Sequence, residues 1–114
     1  LYQKAEKAIY TEGPTFLNVF SPCPRGWGYD TPDLMKINEL AVKTCYWPLY
    51  EVVDGKYTIT YKPAKKLPIE EFLRPQKRFR HMFKPGNEWM IEEFQAEVDR
   101  RWEELLKLEE MSNM

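Results

Sequence analysis

The sequence predicts an α/β fold. Three patterns support this class: a helical N-terminus followed by a strand-length apolar run at 15–20, a hairpin signal at Asp54-Gly55, and a long amphipathic helix pattern near the C-terminus. A chain of 114 residues buries only a modest core, so we expect one structural unit or a piece of a larger one. The aromatic content of 15% is high for so short a chain, so many aromatic side chains must be buried here or against another chain.

The first part of the chain predicts half of an α/β unit. Residues 1–10 contain good helix formers, and the Thr-Glu-Gly-Pro sequence that follows should end this helix. The run from Thr15 to Phe20 is almost continuously apolar, as expected for a strand covered on both faces of a parallel sheet. Residues 21–29 are rich in proline and glycine, so we expect a rigid loop there.

A second helix and a hairpin should follow. The segment Asp30–Asp33 is typical of a helix start, with Asp30 or Thr31 as the cap and a proline in the first turn. The helix should run to about Thr44 and bury an apolar stripe formed by Leu34, Ile37, Leu40 and Ala41. Two strand-like runs then flank Asp54-Gly55, whose type I′ turn requires positive φ at both residues, so we expect an antiparallel hairpin over 49–61.

The rest of the chain should be mainly helical. Ile69 to Leu73 predicts a short helix, and Pro75 can begin a second stretch that ends near Phe83. Asn87 should cap the last helix, expected over residues 88–109. The apolar positions of this helix follow at steps of three and four on one face: Ile91, Phe94, Val98, Trp102 and Leu105. On the charged face, i,i+4 pairs are expected for Glu97 with Arg101 and for Glu103 with Lys107.

The charge balance argues against several classes of partner. Lys plus Arg is 17 and Asp plus Glu is 18, so there is no global reason to expect nucleic acid or an anionic membrane. No apolar run approaches the roughly 20 residues that span a bilayer, and the first residues lack the order of a signal peptide. We therefore expect a cytoplasmic protein. The start at Leu1, inside a helical pattern and without a methionine, suggests that further sequence precedes it.

Cys23 is the first candidate for chemistry. Ligands of α/β sheets lie beyond the carboxyl ends of the strands, and Cys23 follows the predicted strand. Pro22 and Pro24 restrict the backbone on both sides, and Cys followed by Pro recurs at iron–sulfur ligands. By residue type alone, however, a lone cysteine is more often a small buried side chain. Cys45 lies near the end of the second helix, where we expect core packing.

The chain contains no complete catalytic set. His81 is the single histidine, and neither a Cys-x-x-Cys nor a His-Glu-x-x-His spacing occurs, which excludes a self-contained zinc site. Gly26 and Gly28 lack the spacing of a dinucleotide-binding or phosphate-binding loop.

Residues 74–84 combine basic and aromatic side chains and could bind an acidic partner or RNA. A solvated helix face is the more common role of such a run. In that case Phe79, Met82 and Phe83 should pack beneath the charges.

Residues 13–28 have the sequence Gly-Pro-Thr-Phe-Leu-Asn-Val-Phe-Ser-Pro-Cys-Pro-Arg-Gly-Trp-Gly, which resembles the β subunit of pyruvate:ferredoxin oxidoreductases. The Pro-Cys-Pro-x-Gly-Trp block is the specific part of the resemblance. Later blocks follow in the order that this family shows: the helix 34–44 leading into 46–51, the turn 54–56, and the segments 68–73 and 78–81. The resemblance covers nearly the whole chain and points to the C-terminal part of that subunit.

The resemblance implies an enzyme that depends on thiamine diphosphate and Mg²⁺. The family oxidatively decarboxylates a 2-oxoacid, passes electrons through iron–sulfur clusters to ferredoxin, and releases an acyl-coenzyme A. Three cysteine ligands of one [4Fe–4S] cluster lie upstream in the family, and the fourth matches Cys23. Pro22 and Pro24 would then fix the thiolate, and Trp27 would shield the cluster from water. The family's Gly-Asp-Gly-type diphosphate motif and its other cluster cysteines do not occur here, so the chain alone should be inactive.

The resemblance also implies a division of the chain. Residues 1–48 would form the terminal helix–strand–loop–helix part of a doubly wound thiamine-diphosphate-binding domain. Residues 49–114 would form a C-terminal extension with the hairpin 49–61 and helices at 69–83 and 88–109. The implied partners are the upstream part of the subunit, other oxidoreductase subunits, ferredoxin, the 2-oxoacid and coenzyme A.

Two alternatives stay open. The substrate could be a branched-chain 2-oxoacid or 2-oxoglutarate instead of pyruvate, because the substrate pocket does not lie in this chain. The function could instead be that of a noncatalytic module that binds an acidic partner or RNA through residues 74–84. Such a module would have a salt-sensitive affinity carried by Arg78 and Arg80, and Cys23 would have no role.

Overall fold

The computed structural model describes all residues 1–114 as a mixture of helices and one two-stranded antiparallel sheet. The α-helices are α1 Tyr2–Tyr10, α2 Pro24–Trp27, α3 Leu34–Lys43, α4 Glu70–Leu73 and α5 Glu88–Ser112. Two 3₁₀ helices span Thr31–Asp33 and Lys77–Phe83, and the strands are β1 Tyr50–Val53 and β2 Lys56–Ile59. This architecture is consistent with the predicted α/β class. None of the helices combines the length and the apolar character needed to cross a membrane.

The hairpin forms as predicted. Strands β1 and β2 pair in antiparallel register, with Val53 opposite Lys56 next to the turn. Asp54 and Gly55 have φ values of 52° and 78°, so both turn residues adopt the left-handed conformation that the Asp-Gly sequence predicts.

The predicted strand at 15–20 is wrong for this chain. These residues lie outside every strand, and Phe16 is 86% exposed. An apolar run becomes a strand only when a neighbouring backbone pairs with its N–H and C=O groups, and the one ladder of the chain joins β1 to β2. Phe20, at the end of the run, is partly buried and packs against Trp27 and Trp47, with ring centroids 5.6 and 5.1 Å away.

The core lies between α3, α4, α5 and the hairpin. Ile37 and Ala41 of α3 are completely buried, as predicted, whereas Leu34 and Leu40 are partly buried. Residues from both sides of position 48 contribute to this one core. Its buried apolar members are Tyr29, Ile37, Ala41, Cys45, Ile59, Ile69, Phe72, Leu73, Met82, Val98, Trp102 and Leu105.

Helix α5 covers the outer edge of the hairpin. The Ile59 N–H donates to Oε2 of Glu109 at 2.7 Å, and the Tyr57 N–H donates to Oγ of Ser112 at 2.9 Å. These bonds satisfy backbone donors that an uncovered edge strand would leave free. The apolar face predicted for this helix is confirmed by the burial or partial burial of Ile91, Phe94, Val98, Trp102 and Leu105.

The helix starts differ from the predicted caps. Asn87 occupies the N-cap position of α5, but its side chain makes no capping hydrogen bond to the helix. Its Nδ2 donates instead to the His81 carbonyl O at 2.7 Å. Its backbone angles, φ −107° and ψ 12°, lie outside the β region that side-chain capping favours. The Thr31–Asp33 helix likewise has no side-chain cap from Asp30, although Pro32 occupies its first turn as predicted.

On the charged face of α5, Glu97 pairs with Arg101 at 2.8 Å, as predicted, and also with Arg100 at 2.6 Å. The predicted pair of Glu103 with Lys107 is not formed. An exposed i,i+4 pair contributes only about 0.3–0.5 kcal/mol, so the absence of this pair costs little stability.

Candidate functional site

Cys23 lies immediately before the four-residue helix α2. Pro24 occupies the first helical position, where its missing N–H leaves no acceptor unpaired. The Trp27 N–H donates to the Cys23 carbonyl O at 2.9 Å, and the Gly28 N–H donates to the Pro24 carbonyl O at 2.9 Å. The loop predicted over 21–29 therefore contains one helical turn, which fixes the backbone around the thiol.

The Cys23 side chain is exposed and forms no disulfide. Its Sγ accepts a hydrogen bond from the Gly26 N–H at 3.4 Å, and Pro22 before it is buried. Burial in the core of this chain therefore does not account for Cys23. The loop is anchored through Pro22 and presents the thiol outwards.

Gly28 joins the Cys23 turn to the 3₁₀ helix Lys77–Phe83. Its φ is 76°, and a Cβ placed on it would lie 2.8 Å from the Lys77 Cβ. The Lys77 N–H donates to the Gly28 carbonyl O at 2.9 Å. Both the positive φ and the close approach require glycine, so the basic segment docks directly on the turn that carries Cys23.

Trp27 packs between the core and Arg78. Its ring meets Phe72 edge-on at 6.4 Å, and the Arg78 Cζ lies 3.8 Å from its ring centroid. This geometry is a cation–π contact. Trp27 is the last residue of the helical turn that Cys23 precedes.

Arg78 is held by further contacts but is incompletely paired. Its Cζ lies 4.4 Å from the Phe79 centroid, and its Nε donates to Oε1 of Gln76 at 2.7 Å. Gln76, only 1% exposed, donates in turn to the Phe72 carbonyl O at 2.6 Å. The Arg78 Nη2 and the Tyr29 hydroxyl are both buried without a hydrogen-bond partner. Burial lowers the pKa of Arg78 and raises the pKa of Tyr29.

Sequence reasoning missed Gln76 and Tyr29 as site residues and counted Arg78 as one charge among many. A spacing of three residues between apolar or buried positions was the sequence signal that could have found this site. Phe79 and Met82 lie on one row of the 3₁₀ helix, which has three residues per turn, and Gln76 precedes the helix at the same spacing of three; all of them are buried or partly buried. Arg78 lies beside this inward row and is partly buried.

Cys45 lies in the core, as predicted, and is 3% exposed. Burial raises the pKa of its thiol, which makes it a poor nucleophile and ligand. No group of three His, Cys, Asp or Glu side chains could hold a metal ion. The chain thus offers one exposed thiol, Cys23, and no complete metal site.

The basic segment 74–84 is only partly a free surface. Arg74 pairs with Glu70 at 3.3 Å and lies 4.6 Å over the Phe83 ring, while Arg78 is stacked on Trp27. The predicted packing beneath the charges is confirmed for Phe79, Met82 and Phe83. The exposed basic side chains are Arg74, Lys77, Arg80, His81 and Lys84.

Comparison with known proteins identifies the relatives of this chain. No protein-family model matches it. Pyruvate synthase subunit PorB of Thermotoga maritima is 49% identical over 112 residues, which are 97% of this chain and 35% of the relative. Pyruvate synthase subunit PorB of Methanosarcina barkeri is 44% identical over 100 residues, 87% of this chain and 34% of the relative. Ketoisovalerate oxidoreductase subunit VorB of Pyrococcus furiosus is 44% identical over 111 residues, 96% of this chain and 34% of the relative.

The chain is a homologue of the β subunits of 2-oxoacid:ferredoxin oxidoreductases. This confirms the resemblance that the residues around Cys23 indicated. The β-subunit homologue spans about a third of the length of the curated relatives it matches, which fits a C-terminal part. Its relatives are named as subunits of oxidoreductases, so it is related to components of enzymes.

Proposed function

We propose that the chain is the C-terminal part of the β subunit of a pyruvate:ferredoxin oxidoreductase and supplies one thiolate ligand, Cys23, to a [4Fe–4S] cluster. The identity of 49% to a pyruvate synthase subunit supports the enzyme class. The observation that carries the ligand assignment is the exposed thiol at the head of a fixed helical turn, in a Pro-Cys-Pro sequence. Iron–sulfur clusters are bound by such cysteines, often next to proline.

The geometry at Cys23 fits a single ligand of a shared cluster. Its Sγ faces outwards and already accepts an N–H bond from Gly26, the kind of bond that tunes cluster potentials. A [4Fe–4S] cluster needs four thiolates, and this chain offers one exposed thiol. The other ligands would come from the upstream part of the subunit. When bound, the cluster would supply one-electron transfer, while Pro22 and Pro24 orient the ligand and Trp27 limits the access of water.

We assign no thiamine diphosphate or Mg²⁺ site to these residues. The chain lacks a Gly-Asp-Gly-type motif, and no cluster of three carboxylate, thiol or imidazole groups could hold a metal ion. In our proposal both cofactors bind to the upstream part of the subunit, so this chain is not catalytic by itself.

In the proposed subunit, residues 1–48 end the doubly wound thiamine-diphosphate-binding domain and residues 49–114 form its C-terminal extension. The exposed apolar side chains of Phe16, Leu17 and Val19 support this division. Three exposed apolar residues within one run of strand length are typical of a segment that other parts of a protein cover. Residues 15–20 would therefore pair as a strand once the rest of the domain is present.

In the proposed reaction, pyruvate is oxidatively decarboxylated, the acyl group passes to coenzyme A, and the electrons pass to ferredoxin. Two of the relatives above are named pyruvate synthase subunits, which favours pyruvate as the substrate. The third is named for ketoisovalerate at a similar identity, so a branched-chain 2-oxoacid is the alternative. The proposed setting is the cytoplasm, with other oxidoreductase subunits as partners.

Iron and acid-labile sulfide content of the anaerobically purified full-length subunit tests the proposal. Cys23→Ala should lose one cluster per subunit and keep thiamine diphosphate binding. Cys45→Ala is the matched control, because it removes the buried thiol and should keep the wild-type iron content. Unchanged iron in Cys23→Ala would reject Cys23 as a ligand.

The alternative function, a noncatalytic module that binds an acidic partner or RNA, is less well supported. A module of this kind would bind with a salt-sensitive affinity carried by Arg78 and Arg80. Arg78 is stacked between Trp27 and Phe79 and is not free to reach a partner, whereas Arg80 is exposed.

A further inference from the structure

Helix α1 carries an apolar stripe that no part of this chain covers. Tyr2, Ala5 and Ile9 follow one another at steps of three and four, which places them on one side of the helix. No residue of α1 is buried, and Tyr2 and Ile9 are 81% and 77% exposed. An amphipathic helix of a globular protein normally turns its apolar side towards a core, so the α1 stripe indicates a further packing surface.

Two lysines determine how α1 is oriented. The Lys4 Nζ donates to the Tyr50 carbonyl O at 3.2 Å, and the Lys7 Nζ pairs with Oε2 of Glu51 at 2.9 Å. Lys4 and Lys7 are one turn apart and attach the helix to strand β1 through a side that does not contain the stripe. Rolling the stripe onto the hairpin would break both contacts, so α1 keeps its lysines towards β1 and its stripe free.

The exposed apolar run that follows α1 lies in the same region of the molecule. The Thr15 hydroxyl donates to the Ala8 carbonyl O at 3.3 Å, which holds the start of the run against the second half of the helix. Phe16, Leu17 and Val19 of this run are exposed. Exposed apolar side chains that are concentrated in one region mark an interaction surface.

The length of the relatives indicates what covers this surface. The chain spans about a third of each relative, so about two thirds of their length has no counterpart here. In the proposed function that remaining part precedes Leu1 and is joined directly to α1, which gives it a high effective concentration at the stripe. A separate protein or a second copy would have to bury roughly 800 Å² on each side. Helix α1 has nine residues and is only about 14 Å long, which favours a tethered occupant.

We propose that the α1 stripe is the docking face for the upstream part of the same subunit. This inference rests on the proposed function, because it requires the chain to be the C-terminal part of a longer subunit. It goes beyond the pairing of residues 15–20, since it gives α1 two neighbours on two different sides. The upstream part packs on Tyr2, Ala5 and Ile9, while β1 is held by Lys4 and Lys7. Helix α1 is thereby the connection that positions the hairpin relative to the upstream part.

Site-specific photocrosslinking in the full-length subunit, purified in its native complex, identifies the occupant. The photoreactive residue p-benzoylphenylalanine is introduced at position 9, and mass spectrometry locates the cross-linked peptides after irradiation. The same replacement at Gln3 is the matched control, because Gln3 is exposed and lies on the opposite side of α1 from the stripe.

We expect cross-links from position 9 to residues that precede Leu1 in the same subunit, and none from position 3. Cross-links from position 9 to a second copy or to another subunit would overturn the proposal, and so would the absence of any cross-link there.

A second measurement does not depend on the bulky probe. Ile9→Ala should lower the melting temperature of the full-length subunit by roughly 5 °C, because a buried side chain is truncated, whereas Gln3→Ala should leave it unchanged. Equal melting temperatures for the two variants would contradict a buried stripe. Neither measurement detects a cluster, so failure of the proposed ligand role is a separate result that appears as unchanged iron in Cys23→Ala.

Discussion

The Arg78 guanidinium lies 3.8 Å from the centre of the Trp27 ring, and this contact joins two segments that are distant in sequence. One segment is the turn that carries Cys23, and the other is the 3₁₀ helix Lys77–Phe83. The Lys77 N–H bond to the Gly28 carbonyl O, at 2.9 Å, reinforces the same junction. The orientation of the thiol therefore depends on tertiary packing as well as on its flanking prolines.

Gly28→Ala should destabilise this junction. The substitution places a Cβ 2.8 Å from the Lys77 Cβ at a positive φ of 76°, so we expect a loss of about 2–3 kcal/mol in the free energy of unfolding. Gly55→Ala is the matched control, because Gly55 has a φ of 78° but no atom within 4 Å of a built Cβ. It should cost about 1 kcal/mol from backbone strain alone. Equal losses for the two variants in chemical denaturation would show that the contact with Lys77 is unimportant.

The two thiols should differ sharply in reactivity in the metal-free subunit. Cys23 is exposed, whereas Cys45 is buried and burial raises the pKa of its thiol. Of these two cysteines, mass spectrometry after brief treatment with iodoacetamide should therefore find only Cys23 alkylated. Modification of Cys45 at a comparable rate under native conditions would mean that the core opens far more easily than its packing indicates.

Helices α1, α3, α4 and α5 and the hairpin could be predicted because their signals are local, whereas the turn α2 within the predicted loop could not. Asp54-Gly55 determines its turn through the φ values of two adjacent residues, and the stripe of α5 repeats within one element. The strand at 15–20 could not be established in the same way, because strand formation needs a partner backbone that local sequence does not contain. The Gln76–Arg78 unit was missed because its segment repeats every three residues, not every 3.6, and because its contacts lie in a distant turn.

Phe16 and Phe72 provide a test of the domain assignment. Phe72 is completely buried, so Phe72→Ala should cost about 3–5 kcal/mol in both the 114-residue chain and the full-length subunit. Phe16 is 86% exposed, so Phe16→Ala should change the stability of the 114-residue chain by no more than about 0.5 kcal/mol. In the full-length subunit we expect Phe16→Ala to cost about 3 kcal/mol, because residues 15–20 would be buried in the sheet. A negligible effect there would argue against residues 1–48 as part of the thiamine domain.

Glu97 should contribute to the acid sensitivity of α5. Hydrogen bonds from Arg100 and Arg101 lower the pKa of its carboxyl to about 2. A carboxyl with a lowered pKa in the folded state stabilises the fold above its ordinary pKa, and this contribution is lost as the pH falls from about 4.5 to about 2. Glu97→Gln should flatten the pH dependence of unfolding in that interval. Glu103→Gln, at a position without an ion pair, serves as the control, and an identical effect of both substitutions would contradict the assignment.

The central claim, that Cys23 is an iron–sulfur ligand, is tested most directly by locating iron in the folded protein. Crystals of the anaerobically purified full-length subunit, measured at the iron absorption edge, would give the iron positions independently of activity. We expect an iron atom of a [4Fe–4S] cluster within bonding distance of the Cys23 Sγ, with the Trp27 ring limiting the access of water. A fully occupied cluster bound by other residues, with the Cys23 Sγ free, would contradict it.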